Sequence, residues 1–88
     1  MAHGTHSPIV NRLKRAEGHL RTIIAMIEGR RGCLEVSQQL HAIEKAITKA
    51  KQLYIHDHID YCLDEAAGSG SRPSRKALAE FKELARYL

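Results

Sequence analysis

The sequence predicts an all-α fold of three helices arranged about one long central rod. Three observations carry that prediction. Apolar residues return at steps of three and four along most of the chain, the period of one helix face. The stretch from Cys33 to Ala67 contains neither glycine nor proline. No alternating strand pattern, internal repeat or nucleotide-binding glycine motif interrupts this organisation.

Met1 to Ser7 read as a flexible polar tail, and residues 8–88 as one helical domain. Ser7-Pro8 suggests an N-cap followed by proline in the first helical position. Behind it Ile9, Leu13, Ala16, Leu20, Ile23, Ile24 and Ile27 recur at helical spacing, until Gly29 and Gly32 mark a break. The second helix runs from about Cys33 to about Ala67. At roughly 30 residues it far exceeds the mean globular helix of about 11–12. Cys33, Val36, Leu40, Ile43, Ile47, Ala50 and Tyr54 form a seam along it. Ala42, Ala46, Leu53, Ile55 and Ile59 widen the apolar surface, enough for the first helix on one side and a second copy of the chain on the other. The segment from Gly68 to Pro73 reads as turn and linker, and Ser74 as the cap of a third helix whose apolar side is Leu78, Phe81, Leu84, Ala85 and Leu88. Pairing of the long helix with its own copy, head to tail, gives a four-helix-bundle dimer.

At 88 residues the chain makes at most one domain with a thin core, for which oligomerisation is the usual remedy. No apolar run is long enough to cross a bilayer, and the start lacks the basic and apolar regions of a secretory signal. The expected location is therefore the cytoplasm, where two cysteines serve as ligands or reactive thiols sooner than as a structural disulfide. The net charge of +4 is unevenly spread: +4 over residues 1–32, −3 over 33–65 and +3 beyond. A basic first third suits a polyanion such as DNA, although a solvated helical face accounts for so modest a run equally well.

Cys33, His58 and Cys62 carry the chemistry. His58 and Cys62 stand one helical turn apart on one face, where both can bind the same cation. Cys33 lies about 37 Å away along the same helix, so it can join them only from a neighbouring antiparallel copy. On a straight helix it falls within roughly 20° of both around the axis. The spacing therefore predicts a metal site shared across a dimer, two per pair by symmetry. Taken alone, a His and Cys at that spacing more often mean a surface imidazole and a buried thiol; Cys33 at matched phase reverses the balance. Two thiolates and an imidazole suit Cu(I), whereas Zn(II) wants a fourth ligand. His3 and His6 could add nitrogens and move the site toward Ni(II) or Co(II), although histidines in a loose tail are usually only solvated. His56 points to another face, His19 and His41 suit surface or interface positions, and Asp57, Asp60 and Asp64 form a solvated acidic strip. Cross-subunit oxidation or persulfidation of Cys33 and Cys62 is a redox alternative that leaves His58 idle. Catalysis lacks an oxyanion-hole motif, an orienting third residue and a concave pocket, so neither an enzyme nor a small organic substrate is expected.

Asn11-Arg-Leu-Lys14, Glu17-Gly-His-Leu20, Cys33, Gln38-Gln39 and His56-Asp-His-Ile-Asp-Tyr-Cys62 resemble the copper-sensitive operon repressor family over about residues 8–88. The resemblance implies homotetramers, dimers of dimers, that bind operator DNA when metal-free and leave it when metal occupies intersubunit sites, inducing efflux or resistance genes. It implies Cys33 from one subunit with His58 and Cys62 from another, and basic residues matching Arg12, Lys14, Arg15 and Lys49 facing the DNA. Copper-sensing members often carry a tyrosine before the first cysteine and a glutamate on the third helix. This chain has Gly32 at the first place and Ala79 and Glu80 near the second. Nickel- and cobalt-sensing members add an N-terminal histidine, a part that His3 or His6 could take.

Overall fold

The computed structural model describes residues 6–69 and 74–88, the side chains of 63–69 excepted. Its elements are α1 (His6–Glu28), α2 (Cys33–Ser69) and α3 (Arg75–Ala85), with no strand among the described residues. The all-α prediction with a dominant central helix is thus met. Two boundaries differ from the sequence expectation. Helix α1 begins at His6, which places Pro8 as its third residue; the first four N–H groups of a helix have no carbonyl partner, so a proline there removes nothing. Helix α2 continues through Gly68 and Ser69, because one glycine costs a long helix only about 1 kcal/mol. The rest of the expected linker, residues 70–73, and the tail residues 1–5 including His3 lie outside the described residues.

The break between α1 and α2 falls where Gly29 and Gly32 suggest, yet neither supplies the left-handed residue. Arg30 does, at φ 57°. Gly29 N–H donates to the Ala25 carbonyl at 2.8 Å, and Arg31 N–H reaches back to Met26 at 2.9 Å, closing the end of α1. The Arg31 guanidinium then grips Glu35 in the first turn of α2 at 2.6 Å. Contacts of His6 with Asp57 and of His19 with Gln39 show that α1 and α2 run antiparallel as a hairpin.

Ile9, Ala16 and Ile23 on α1, and Val36, Ile43 and Ala50 on α2, are buried, each set at intervals of seven. That is the repeat of helices that wind about one another at about 3.5 residues per turn. Leu13, Leu20 and Ile27, and across from them Leu40, Ile47 and Tyr54, also recur at sevens but are between 41% and 56% exposed. The seam expected on α2 therefore divides. Its Val36 line packs on α1, while the line that begins at Cys33 and continues through Leu40 and Ile47 is only partly covered within the chain, Tyr54 at its end stacking on His6. The molecule measures 58 × 24 × 14 Å, and its thinnest dimension barely exceeds one helix diameter of about 10–12 Å. Two helices side by side cannot enclose a core, so each keeps an apolar flank open. Helix α3 is capped by Ser74, whose hydroxyl accepts from Ala77 N–H at 3.1 Å, and it exposes Leu78 and Phe81. Among the described residues, no helix is long and apolar enough to cross a membrane.

Candidate metal centre and basic face

Cys33 opens α2 directly after the turn, where the Gly32 carbonyl accepts the first backbone bond from Val36 at 3.0 Å. Its thiol is exposed, and its described neighbour is the Ser37 hydroxyl at 3.9 Å. About seven turns further along the same unbroken helix, His58 Nε2 lies 3.6 Å from Cys62 Sγ. The continuity of α2 keeps Cys33 at the far end of the rod from this pair, as the rise per residue requires. Among the described residues of one chain, no three His, Cys, Asp or Glu side chains converge as a complete metal site.

A seven-residue repeat kept along the whole of α2 would alter the phase expected from a straight helix. At about 3.5 residues per turn Cys33 would stand about 50° from His58 and about 100° from Cys62, instead of the roughly 20° of a straight rod. Cys33 would then share the half-exposed line with Leu40, Ile47 and Tyr54, with His58 and Cys62 on its shoulder. The pair itself suits a single ion. Bonds of about 2.0 Å from nitrogen and 2.3 Å from sulfur span 3.6 Å at an angle of about 115°, nearer trigonal or tetrahedral than square-planar.

His58 has a second partner that the sequence left open. Glu80 Oε1 of α3 lies 2.8 Å from the same Nε2. The sequence signal was present, since Glu80 follows Ala79 at the place where the resemblance implies a glutamate. Which of the two residues turns toward α2 depends on how α3 is laid against the hairpin. His6 also comes to this end of the hairpin. It stacks on Tyr54, one turn below His58, with ring centroids 5.5 Å apart, and lies 3.7 Å from Asp57, the residue before His58.

The expected DNA-facing residues are only partly assembled. Arg12 and Arg15 line one pocket of about 140 Å³ together with Ala16, His19 and Ala46. Lys49 follows Ala46 by one turn on the same flank of α2. Lys14 is carried by the helical rotation of about 100° per residue to the opposite side of α1. His19, expected as a surface or interface residue, bonds across the hairpin to Gln39 at 2.6 Å, while His41 is exposed beside Glu44 at 3.8 Å.

Comparison with known proteins adds three findings. Residues 5–87 match the family described as metal-sensitive transcriptional repressor. The copper-sensing transcriptional repressor CsoR of Bacillus subtilis (strain 168) is 33% identical over 78 residues, which cover 86% of this chain and 77% of that protein. CsoR of Mycobacterium ulcerans (strain Agy99) is 38% identical over 61 residues, 69% of this chain and 52% of its own length, so this chain spans about half of that relative. The solved structure of the nickel-responsive transcriptional regulator InrS superposes with a TM-score of 0.81 at 35% identity, covering 100% of this chain and 98% of the other.

Proposed function

The chain belongs to the metal-sensitive transcriptional repressors, a non-enzymatic family, and on that premise we propose that it represses transcription from operator DNA in the cytoplasm and lets go when Cu(I) binds between subunits. Cys33 of one protomer and His58 with Cys62 of its head-to-tail partner hold the ion. One observation carries this reading: an exposed thiol at the start of an unbroken helix, on its half-exposed apolar line, and an imidazole–thiol pair near the other end. Two such rods laid antiparallel bring each Cys33 to the other's pair, and the dimers associate further into tetramers.

The ion supplies a crosslink between the end of one long helix and the start of another. Glu80 makes that event felt on α3. His58 Nε2 cannot donate a proton to Glu80 and offer its lone pair to a cation at once. If Nε2 ligates, Glu80 is released; if Nδ1 ligates, the Nε2–H stays on Glu80 and ties α3 to the occupied site. Either way the position of α3 follows occupancy. Arg12, Arg15 and Lys49 contribute the phosphate contacts, so operator affinity falls steeply with salt. A hundredfold loss of DNA affinity needs only about 2.7 kcal/mol of discrimination between the two bundle states, within ordinary allosteric coupling.

A second reading has its own support. His6 contacts Asp57, the residue before His58, and the nickel-responsive InrS shares the fold, so Ni(II) or Co(II) with His6 as an added ligand is the alternative. Mobility shifts of an operator duplex with Cu(I), Ni(II) and a persulfide donor separate the inducers. X-ray absorption then reads the shell: three-coordinate and sulfur-rich for Cu(I), four or more ligands with several nitrogens for Ni(II) or Co(II). The Cys33→Ala variant stays on DNA at every metal concentration. Release of that variant by copper or nickel would falsify the assignment of Cys33.

A further inference from the structure

The pocket between Arg12, Arg15 and His19 has a property that the two arginines alone would lack. We propose that these three side chains hold one phosphate oxyanion of the DNA backbone, and that proton uptake by His19 tightens the grip. The proposal rests on the repressor reading and adds to it a contact residue and a dependence on pH.

The placement supports an open, anion-accepting site. About the axis of α1, Arg12, Arg15 and His19 lie on one side of the buried line Ile9, Ala16 and Ile23, while the exposed Leu13, Leu20 and Ile24 lie on the other. A second copy covering the apolar flank therefore leaves the basic flank facing outward. The pocket floor is small, Ala16 and Ala46, so the cationic groups rim a hollow of about 140 Å³. His19 is fixed in that rim. Its Nε2 donates to Gln39 Oε1 at 2.6 Å, which leaves Nδ1 as the nitrogen that gains or loses a proton.

The charges around the ring set the direction of the effect. From α1 it faces Arg12 and Arg15; from α2 it faces Gln39 and Ala46, neither of which titrates. Glu17 is on the opposite flank with Arg21 at 3.5 Å, and Glu35, one turn before Gln39, is engaged by Arg31. A phosphate held beside the two guanidinium groups pairs favourably with a charged imidazole. Occupancy and protonation of His19 therefore favour each other.

Backbone contacts carry no sequence information, so a short duplex of mixed sequence suffices as the probe. Fluorescence anisotropy over a KCl series is expected to show wild-type protein binding ~5-fold tighter near pH 6 than near pH 8. His19→Gln keeps a side chain able to bond Gln39; it is expected to lose that gain and to lower the salt slope near pH 6 by ~0.9, one phosphate contact. His19→Arg is expected to bind tightly at both pH values, and Arg21→Gln to retain the gain. Retention of the full gain in His19→Gln overturns the proposal. A second arm titrates inorganic phosphate while following the His19 ring by NMR. If wild-type protein binds no duplex, the repressor reading fails; a saturating His19 shift then upholds the pocket as a site for free phosphate, and no shift removes it as well.

Discussion

Subunit mixing tests whether the metal site is shared between chains. Cys33→Ala and Cys62→Ala each remove one exposed thiol, and neither residue is part of the buried core, so both variants are expected to fold as the parent does. In the proposed two-fold dimer each site draws Cys33 from one chain and His58 with Cys62 from the other. Every site in either homodimer then lacks a ligand. A mixed dimer has one intact site, where the Cys62→Ala chain provides Cys33 and the Cys33→Ala chain provides the pair; its other site lacks both thiols. Random exchange makes half of the dimers mixed, so the restored capacity is about one quarter of that of the parent protein. Competition with a chromophoric Cu(I) chelator, before and after unfolding and refolding the variants together, measures it. Recovery near a quarter supports head-to-tail sharing. No recovery, with dimers shown by mass spectrometry to have exchanged, refutes the reasoning, because each chain would then need all of its own ligands.

Three further outcomes follow from the geometry. Glu80→Ala is expected to strengthen metal binding, because Glu80 competes for the Nε2 that faces Cys62 Sγ, and to shrink the metal-dependent change in DNA affinity while the helix content by circular dichroism stays unchanged. Ile47→Lys puts a charge on the half-exposed line twice per two-fold interface; at about 1.5–3 kcal/mol for each isoleucine, sedimentation should show dimerisation weakened at least ~100-fold. Arg30→Gly relieves the left-handed backbone at φ 57° and is expected to stabilise the chain by about 1 kcal/mol, a rise of about 4–8 °C in thermal midpoint; an unchanged or lower midpoint would show that the Arg30 side chain contributes more than its backbone costs.

The proposed sharing of the site between chains would also account for so thin a protein. A chain that enclosed its own core would have no long apolar line left for a partner, and Cys33 would have no route to a distant His58. On that proposal the half-exposed flank from Leu40 to Tyr54 and the incomplete ligand set among the described residues are two aspects of one design in which a single protomer is insufficient. Helix α3 follows the same pattern. Among the described residues it buries none of its own side chains, and Glu80 links it to His58.

The sequence alone determined whatever depends on neighbours along the chain. Three helices were legible because the apolar period and its interruptions at Gly29, Gly32 and Pro73 act locally, and His58 with Cys62 was legible because one helical turn always brings i and i+4 together. Tertiary structure decided the rest. The residues from Cys33 to Tyr54 read as one seam, and only packing against α1 divided them into a covered line through Val36 and a half-exposed line through Leu40. Only the hairpin brought His19 to Gln39, and only the lie of α3 turned Glu80, not Ala79, onto His58. Backbone hydrogen bonds set the helical period one turn at a time, whereas the choice of facing side chains depends on contacts between segments some twenty residues apart, which no local pattern records.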